Sequence, residues 1–329
     1  MSTDDEGGGR PLRAVALGGG HGLQATLGAL RRITSDVTAV VTVADDGGSS
    51  GRLRRELGTL PPGDLRKALA ALAGEDDRVW AEVFEHRFGG NGALAGHAVG
   101  NLVLTGLLDV LGDPVEVLDH ACHLLGVRGR VLPMSGGPLD MEADVVGLDA
   151  DPTAVRTIRG QVAIAATPGR VKEMRLYGSN GQRTRPCACP AAVQAVREAD
   201  LVLLGPGSWF TSVLPHLLVP ELHEALVSTF AQRIVVLNLM PQPGETAGFS
   251  PEQHLDVLSQ HAPGLGVDAV LADARAVPTP DRLRAAAAGL GAQTLLDEVA
   301  TPGHPGRHDP EALAASLTAA LERRKDRWR

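Results

Sequence analysis

Apolar residues in this chain fall into short continuous runs that stop at glycine-rich loops. That is the texture of strands buried on both faces of a parallel sheet. Ala14 to Leu17 is one such run and ends at Gly18. Leu23 to Arg31 then reads as a helix. Val37 to Val43 is a second, β-branched run that again ends in a Gly-rich loop. Strand, loop, helix, strand predicts a βαβ unit with a right-handed crossover.

The pattern continues with helices predicted over Asp64–Ala73, Gly100–Leu111 and Val115–Leu125. Asp64 is placed as an N-cap after Pro61-Pro62, and the Gly100–Leu111 helix is apolar enough to be buried. The texture changes between Val131 and Tyr177, where Ala143–Leu148, Gln161–Ala165 and Val171–Leu176 are separated by turn residues. This predicts a small antiparallel β insertion over about residues 131–177, followed by a mobile linker over Gly178–Pro190. Parallel-sheet texture returns at Leu201–Leu204 and Ile234–Leu239, with a helix from Thr211. Ala269–Ala272 reads as a last strand and Pro310–Arg329 as a charged amphipathic helix. The fold class expected is α/β: a Rossmann-like, doubly wound, mostly parallel sheet, with residues 13–329 as a single domain and residues 1–12 as a disordered tail.

Composition narrows the function. The net charge of −8 argues against non-specific nucleic-acid binding, which needs many phosphates neutralised. No apolar run approaches the ~20 residues of a membrane span. The acidic, Gly-rich start lacks the features of a signal peptide, so a soluble cytoplasmic protein is expected. Three cysteines make no secreted framework. Cys187 and Cys189 read as incidental thiols, since a metal site would need further ligands.

The chemistry concentrates in the loops. Gly18-Gly19-Gly20-His21-Gly22 stands between a strand and a helix, where bare backbone N–H groups and the helix N-terminus favour an anion. No Lys-Ser/Thr pair follows, so this is not a P-loop. Leu23 also stands where a dinucleotide fingerprint would carry its third glycine. At the next strand end, Asp45 and Asp46 precede Gly47-Gly48, Ser49-Ser50 and Arg52. Asp45 suits a ribose hydroxyl, or the acidic pair suits a divalent cation beside phosphates. Asp64 is either a ligand contact or a cap. His97 and Asn101, in Gly96–Asn101, either reach the ligand or serve the helix that follows. Gly205-Pro206-Gly207-Ser208 repeats the strand–glycine–helix logic, so two loops would hold two ends of an extended ligand.

Taken together, the motifs resemble the gluconeogenesis-factor proteins, the YvcK-type branch of the CofD-like, phospholactate-transferase-like superfamily. The matching runs are Leu17–Leu23, Val41–Leu53, Leu60–Arg66, Gly96–Leu102, Val127–Pro133, Leu204–Ser208, Asn238–Thr246 and Arg307–Asp309. The resemblance covers about residues 13–320, and Asp45–Leu53 is its most specific part. It implies a regulator that binds a nucleotide sugar of the UDP-N-acetylglucosamine type and is linked to gluconeogenic growth, cell shape and cell-wall metabolism. A Ser/Thr kinase and a cell-wall regulatory protein are the implied partners, and a homodimer the implied assembly. The resemblance adds Asn238 and Arg307 to the site. His21 departs from it, because many members carry Thr there.

Two enzymatic readings compete. In the transferase branch a phospholactyl-type group moves from a guanylyl donor to a deazaflavin with magnesium, and Asp45-Asp46 resembles its acidic pair. Its acceptor-binding run has no counterpart here. Instead His86-Arg87-Phe88 precedes Gly96–Leu102, as in the gluconeogenesis branch. A nicotinamide-dependent oxidoreductase rests only on the βαβ unit and Asp45.

Overall fold

The computed structural model describes residues 10–74, 78–179 and 183–327. Most of the expected tail, residues 1–9, lies outside them. Seven strands form one parallel sheet: β1 (Arg13–Gly18), β2 (Asp36–Val41), β3 (Arg130–Pro133), β7 (Leu201–Leu204), β8 (Gln232–Val236), β9 (Ala269–Asp273) and β10 (Gln293–Asp297). Their order is β10-β9-β8-β7-β1-β2-β3. Every residue of β7 and β9 is buried, as expected of strands covered on both faces. The order reverses between β1 and β7, which pair in parallel through Ala14↔Leu201 to Leu17↔Leu204. Such a switch point opens a crevice at the carboxyl ends of the strands.

Three further strands, β4 (Leu139–Val146), β5 (Arg156–Arg159) and β6 (Arg170–Gly178), make the antiparallel insertion, in the order β5-β4-β6. It is narrower than expected. Val131 belongs to β3, whose partner is β2 of the main sheet. Gln161–Ala165 is a five-residue helix rather than a strand. The expected mobile linker is pinned in its described part by the bridges Gly178↔Thr184 and Ser135↔Ala188; residues 180–182 lie outside the described residues.

Five helices follow β1, β2 and their loops: α1 (Gly20–Leu30), α2 (Gly48–Leu57), α3 (Gly63–Leu72), α4 (Arg78–Glu85) and α5 (Val99–Leu111). Helix α1 starts inside the glycine loop, three residues before the expected position. Helix α2 occupies part of what reads in sequence as a loop, and ends where Gly58 turns left-handed at φ 65°. The buried face of α5 is confined to Gly100, Asn101, Leu104 and Thr105, and Val110 is 80% exposed, so that helix is half-buried rather than buried. The remaining two strands, β11 (Ala300–Thr301) and β12 (His304–His308), form a hairpin before the C-terminal helix Pro310–Arg327. With β10 they lie beyond the strand expected to be last. Among the described residues no helix is long and apolar enough to cross a membrane.

Candidate functional site

The loops after β1 and β7 meet backbone to backbone at the switch point. A Cβ on Gly22 would overlap the Pro206 carbonyl oxygen and stand 2.6 Å from Gly207 Cα. Gly207 is itself fixed by Asn238, whose Oδ1 accepts from Gly207 N at 2.8 Å and whose Nδ2 donates to Gly207 O at 2.8 Å. Beside this contact, α1 begins at Gly20 with no side-chain cap and no acidic residue in its first turn. Its first N–H groups thus lack a cap of their own and suit an anion, with the Asp64 carboxylate packed against Gly19, 2.5 Å from where a Cβ would stand.

Two adjoining cavities flank this point and share His21, Gly22, Gly207 and Gln242. The larger, ≈ 1060 Å³, extends past Asn238, Met240 and Pro241 to Arg307 and His308, and along α3 and α4 to Ala71 and Glu85. The smaller, ≈ 280 Å³, is polar: Gly19, Gly20, Asp45, Asp64, Lys67, Gln161, Ser208 and Thr211 line it. Together they form one elongated cleft.

The acidic residues divide. Asp45 faces the smaller cavity, and its Oδ1 accepts from Gly47 N at 2.9 Å. Burial pushes its carboxyl above the usual range, and the Asp64 charge adds to this. Asp64 also faces the cavity and pairs with Lys67 at 3.1 Å. It is not the N-cap of α3; Pro62 holds that position and Asp64 lies in the first turn. Asp46 points elsewhere. Its two carboxylate oxygens accept from Gln161 N at 3.0 Å and Val162 N at 2.9 Å, so it caps the short insertion helix. With its carboxylate turned to the insertion helix, Asp46 does not line the cavity that Asp45 faces, so the expected Asp45–Asp46 cation pair is not assembled there. Asp45 and Asp64 are the carboxylates that share the cavity. Among the described residues no three His, Cys, Asp or Glu side chains cluster as metal ligands.

Ser49, Ser50, His97 and Asn101 are buried behind the loop rather than in the cleft. Ser49 Oγ meets His97 Nδ1 at 2.9 Å and accepts from Asn101 Nδ2 at 2.9 Å, while Ser50 Oγ accepts from Gly63 N at 3.0 Å. Burial lowers the His97 pKa, and the nearby Arg52 charge lowers it further. These groups hold α2, α3 and α5 together. Arg52 is likewise engaged away from the cleft, with Nη2 donating to Ala95 O at 2.7 Å. Gly18 lies one residue behind the lining, against Leu23 at 3.6 Å from its would-be Cβ. That buried leucine occupies the position where a dinucleotide fingerprint needs a glycine for close helix–strand packing.

Lys67, Gln161 and Thr211 also line the cleft, although no motif in the sequence points to them, as does Gln242 from the Asn238–Thr246 run. Lys67 was legible only as the residue three after Asp64 on one helix face. Gln161 comes from the insertion, and nothing in sequence links it to the sheet edge. Behind Thr211, Glu245 is buried and accepts from Phe210 N at 2.9 Å and from the Thr211 hydroxyl. Burial pushes its carboxyl up. Arg307 is exposed on β12 at the mouth of the larger cavity, next to buried His308.

The sequence profile described as 2-phospho-L-lactate transferase CofD matches residues 14–303. A Mycobacterium tuberculosis protein carrying the gluconeogenesis-factor name is 59% identical over 314 residues, covering 94% of this chain and 90% of its own. The gluconeogenesis factor of Bacillus subtilis is 35% identical, covering 95% and 99%. A crystal structure of a UPF0052-family protein from Bacillus halodurans superposes with a TM-score of 0.81 at 33% identity, covering 94% of this chain and all of that one.

Proposed function

The chain belongs to the CofD family and to the gluconeogenesis factors within it, and from that premise we propose that its cleft binds a nucleotide diphosphate sugar of the UDP-N-acetylglucosamine type. In this reading the protein is a ligand-responsive regulator that couples the level of that sugar to gluconeogenic growth, cell shape and cell-wall metabolism. The observation that carries the reading is the uncapped N-terminus of α1, opening beside Lys67 into an elongated cleft. Open N–H groups, a helix dipole and an ammonium group suit a diphosphate. Room on both sides of it suits a ligand with a group at each end. Arg307 at the mouth supplies a second cation.

A transferase reading has its own support, since Asp45 and Asp64 stand in one cavity with Lys67. A magnesium ion held there would stabilise the charge on a leaving phosphate. Calorimetric titration with UDP-N-acetylglucosamine, with and without magnesium, tests binding. Product analysis by mass spectrometry tests turnover. Saturable heat with an unchanged ligand supports the regulator. Magnesium-dependent release of a nucleotide, with the transferred group passing to water in place of an acceptor, supports the transferase. No heat at millimolar ligand with folded protein refutes the sugar-nucleotide reading.

A further inference from the structure

Among the described residues the antiparallel insertion reaches the cleft through Gln161, and a carboxylate in the loop after β2 sets where that residue stands. Asp46 follows β2, whereas Gln161 and Val162 open the insertion helix more than a hundred residues later. The two N–H groups that Asp46 accepts are those of Gln161 and Val162. The same junction is tight elsewhere. A Cβ on Gly47 would come within 2.7 Å of Val162 Cγ2, and a Cβ on Gly160 would overlap the Asp46 carboxylate. On the other side, a Cβ on Gly244 would lie 3.0 Å from the Ala165 carbonyl carbon. The helix is thus clamped between the loops after β2 and β8. Its first side chain faces the polar cavity, where Gln161 Nε2 makes only a long contact, 3.4 Å, to Thr211 Oγ1.

We propose that Gln161 is a specificity-determining residue that hydrogen-bonds the hydroxylated sugar of the ligand, and that Asp46 is its positioning residue rather than a metal ligand. This rests on the sugar-nucleotide reading above. A primary amide offers a donor and an acceptor together, which suits hydroxyl and acetamido groups. Its neighbours in the cavity, Asp45, Thr211 and Ser212, accept from hydroxyls, and the Asp45 carboxylate disfavours a phosphate beside it, whereas Asp64 stands at the α1 N-terminus itself, against Gly19 and paired with Lys67. The cavity therefore separates into a phosphate position at Gly20–Gly22 and Lys67 and a hydroxyl position between Asp45 and Gln161.

The test compares affinities of the full chain for UDP-N-acetylglucosamine and for UDP. Gln161→Ala should weaken the sugar nucleotide roughly threefold to tenfold, as for loss of one neutral hydrogen bond, and leave UDP unchanged. Asp46→Ala should do the same without dependence on magnesium, and the double variant should bind no worse than either single one. Asp46→Asn, which keeps one acceptor oxygen but turns an amide donor toward the second N–H group, should recover only part of the loss. Hydrogen exchange without ligand should accelerate at Gln161 and Val162 in Asp46→Ala. Equal losses for UDP and its sugar conjugate, additive losses in the double variant, or a magnesium-dependent loss in Asp46→Ala would overturn the proposal. Wild type that binds neither ligand overturns the sugar-nucleotide reading with it, whereas wild type that binds and Gln161→Ala that binds equally overturns this inference alone.

Discussion

The α-carbon of Gly22 faces that of Gly207 so closely that a single added methyl group at Gly22 would stand 2.6 Å from Gly207 Cα. The obstruction is backbone, which has no rotamer to yield. Gly22→Ala must therefore push apart the loops after β1 and β7. The expected loss of stability is about 1–3 kcal/mol, as for overpacking, measured by urea denaturation. Nucleotide-sugar affinity should fall with it, because the opened N-terminus of α1 no longer faces Gly207.

Lys67 separates charge from structure. Lys67→Met keeps the aliphatic stem and removes the ammonium beside Asp64. If the diphosphate sits at the α1 N-terminus, affinity should drop by about 1.5–3 kcal/mol, the value of a charged hydrogen bond. Calorimetry reads this directly. Raising salt should weaken wild type more than the variant.

Arg307 is exposed on β12, so its removal should cost the fold little. Arg307→Ala is expected to unfold within about 0.5 kcal/mol of wild type and yet bind the nucleotide sugar more weakly. An unchanged affinity would remove Arg307 from the site while leaving the rest of the cleft assigned.

Buried histidines set a pH dependence: His97 and His254 are lowered by burial, and His216 and His308 furthest. Burial lowers both His216 and His308 to about 4, against about 6.5 in an unfolded chain. Between those values the unfolded chain takes up protons that the folded chain refuses. Their contribution to stability is therefore intact above about pH 6.5, falls as pH drops towards 4, and levels off below. Asp45 and Glu245, raised by burial, work in the opposite sense over part of that range. The check is thus a difference: urea denaturation at several pH values should show a shallower slope for His216→Gln than for wild type. His216 is suited to this because it lies outside the cleft, with Nε2 3.0 Å from Val40 O.

The sheet was legible because its buried strands are largely apolar runs, as in Leu201–Leu204, and β1 and β7 at the switch point end at glycine. Strand β10, Gln293–Asp297, was not, because its burial is partial and its ends are polar. Helix α2 was hidden by Gly48, Ser49, Ser50 and Gly51, poor helix formers that tertiary packing overrides. The same packing turns Ser49 and Ser50 inward, away from the cleft that their place in the loop suggests. Asp45 and Asp46 differ by one position and end in different environments, one in the cleft and one on the insertion helix. Only the long-range contact of Asp46 with Gln161 decides which is which. Arg307 came from resemblance alone, since a hairpin that follows the last sheet strand carries no periodicity pointing back to the cleft.

The N-terminus of α1 is expected to receive the diphosphate of a nucleotide sugar. The most direct measurement is a crystal structure of the protein soaked or co-crystallised with UDP-N-acetylglucosamine. Phosphate density within hydrogen-bond distance of the N–H groups of Gly20–Gly22 and of Lys67 Nζ is the predicted result. A bound ligand whose phosphates lie away from that helix end, or a saturating soak that leaves the cleft without ligand density, would contradict it.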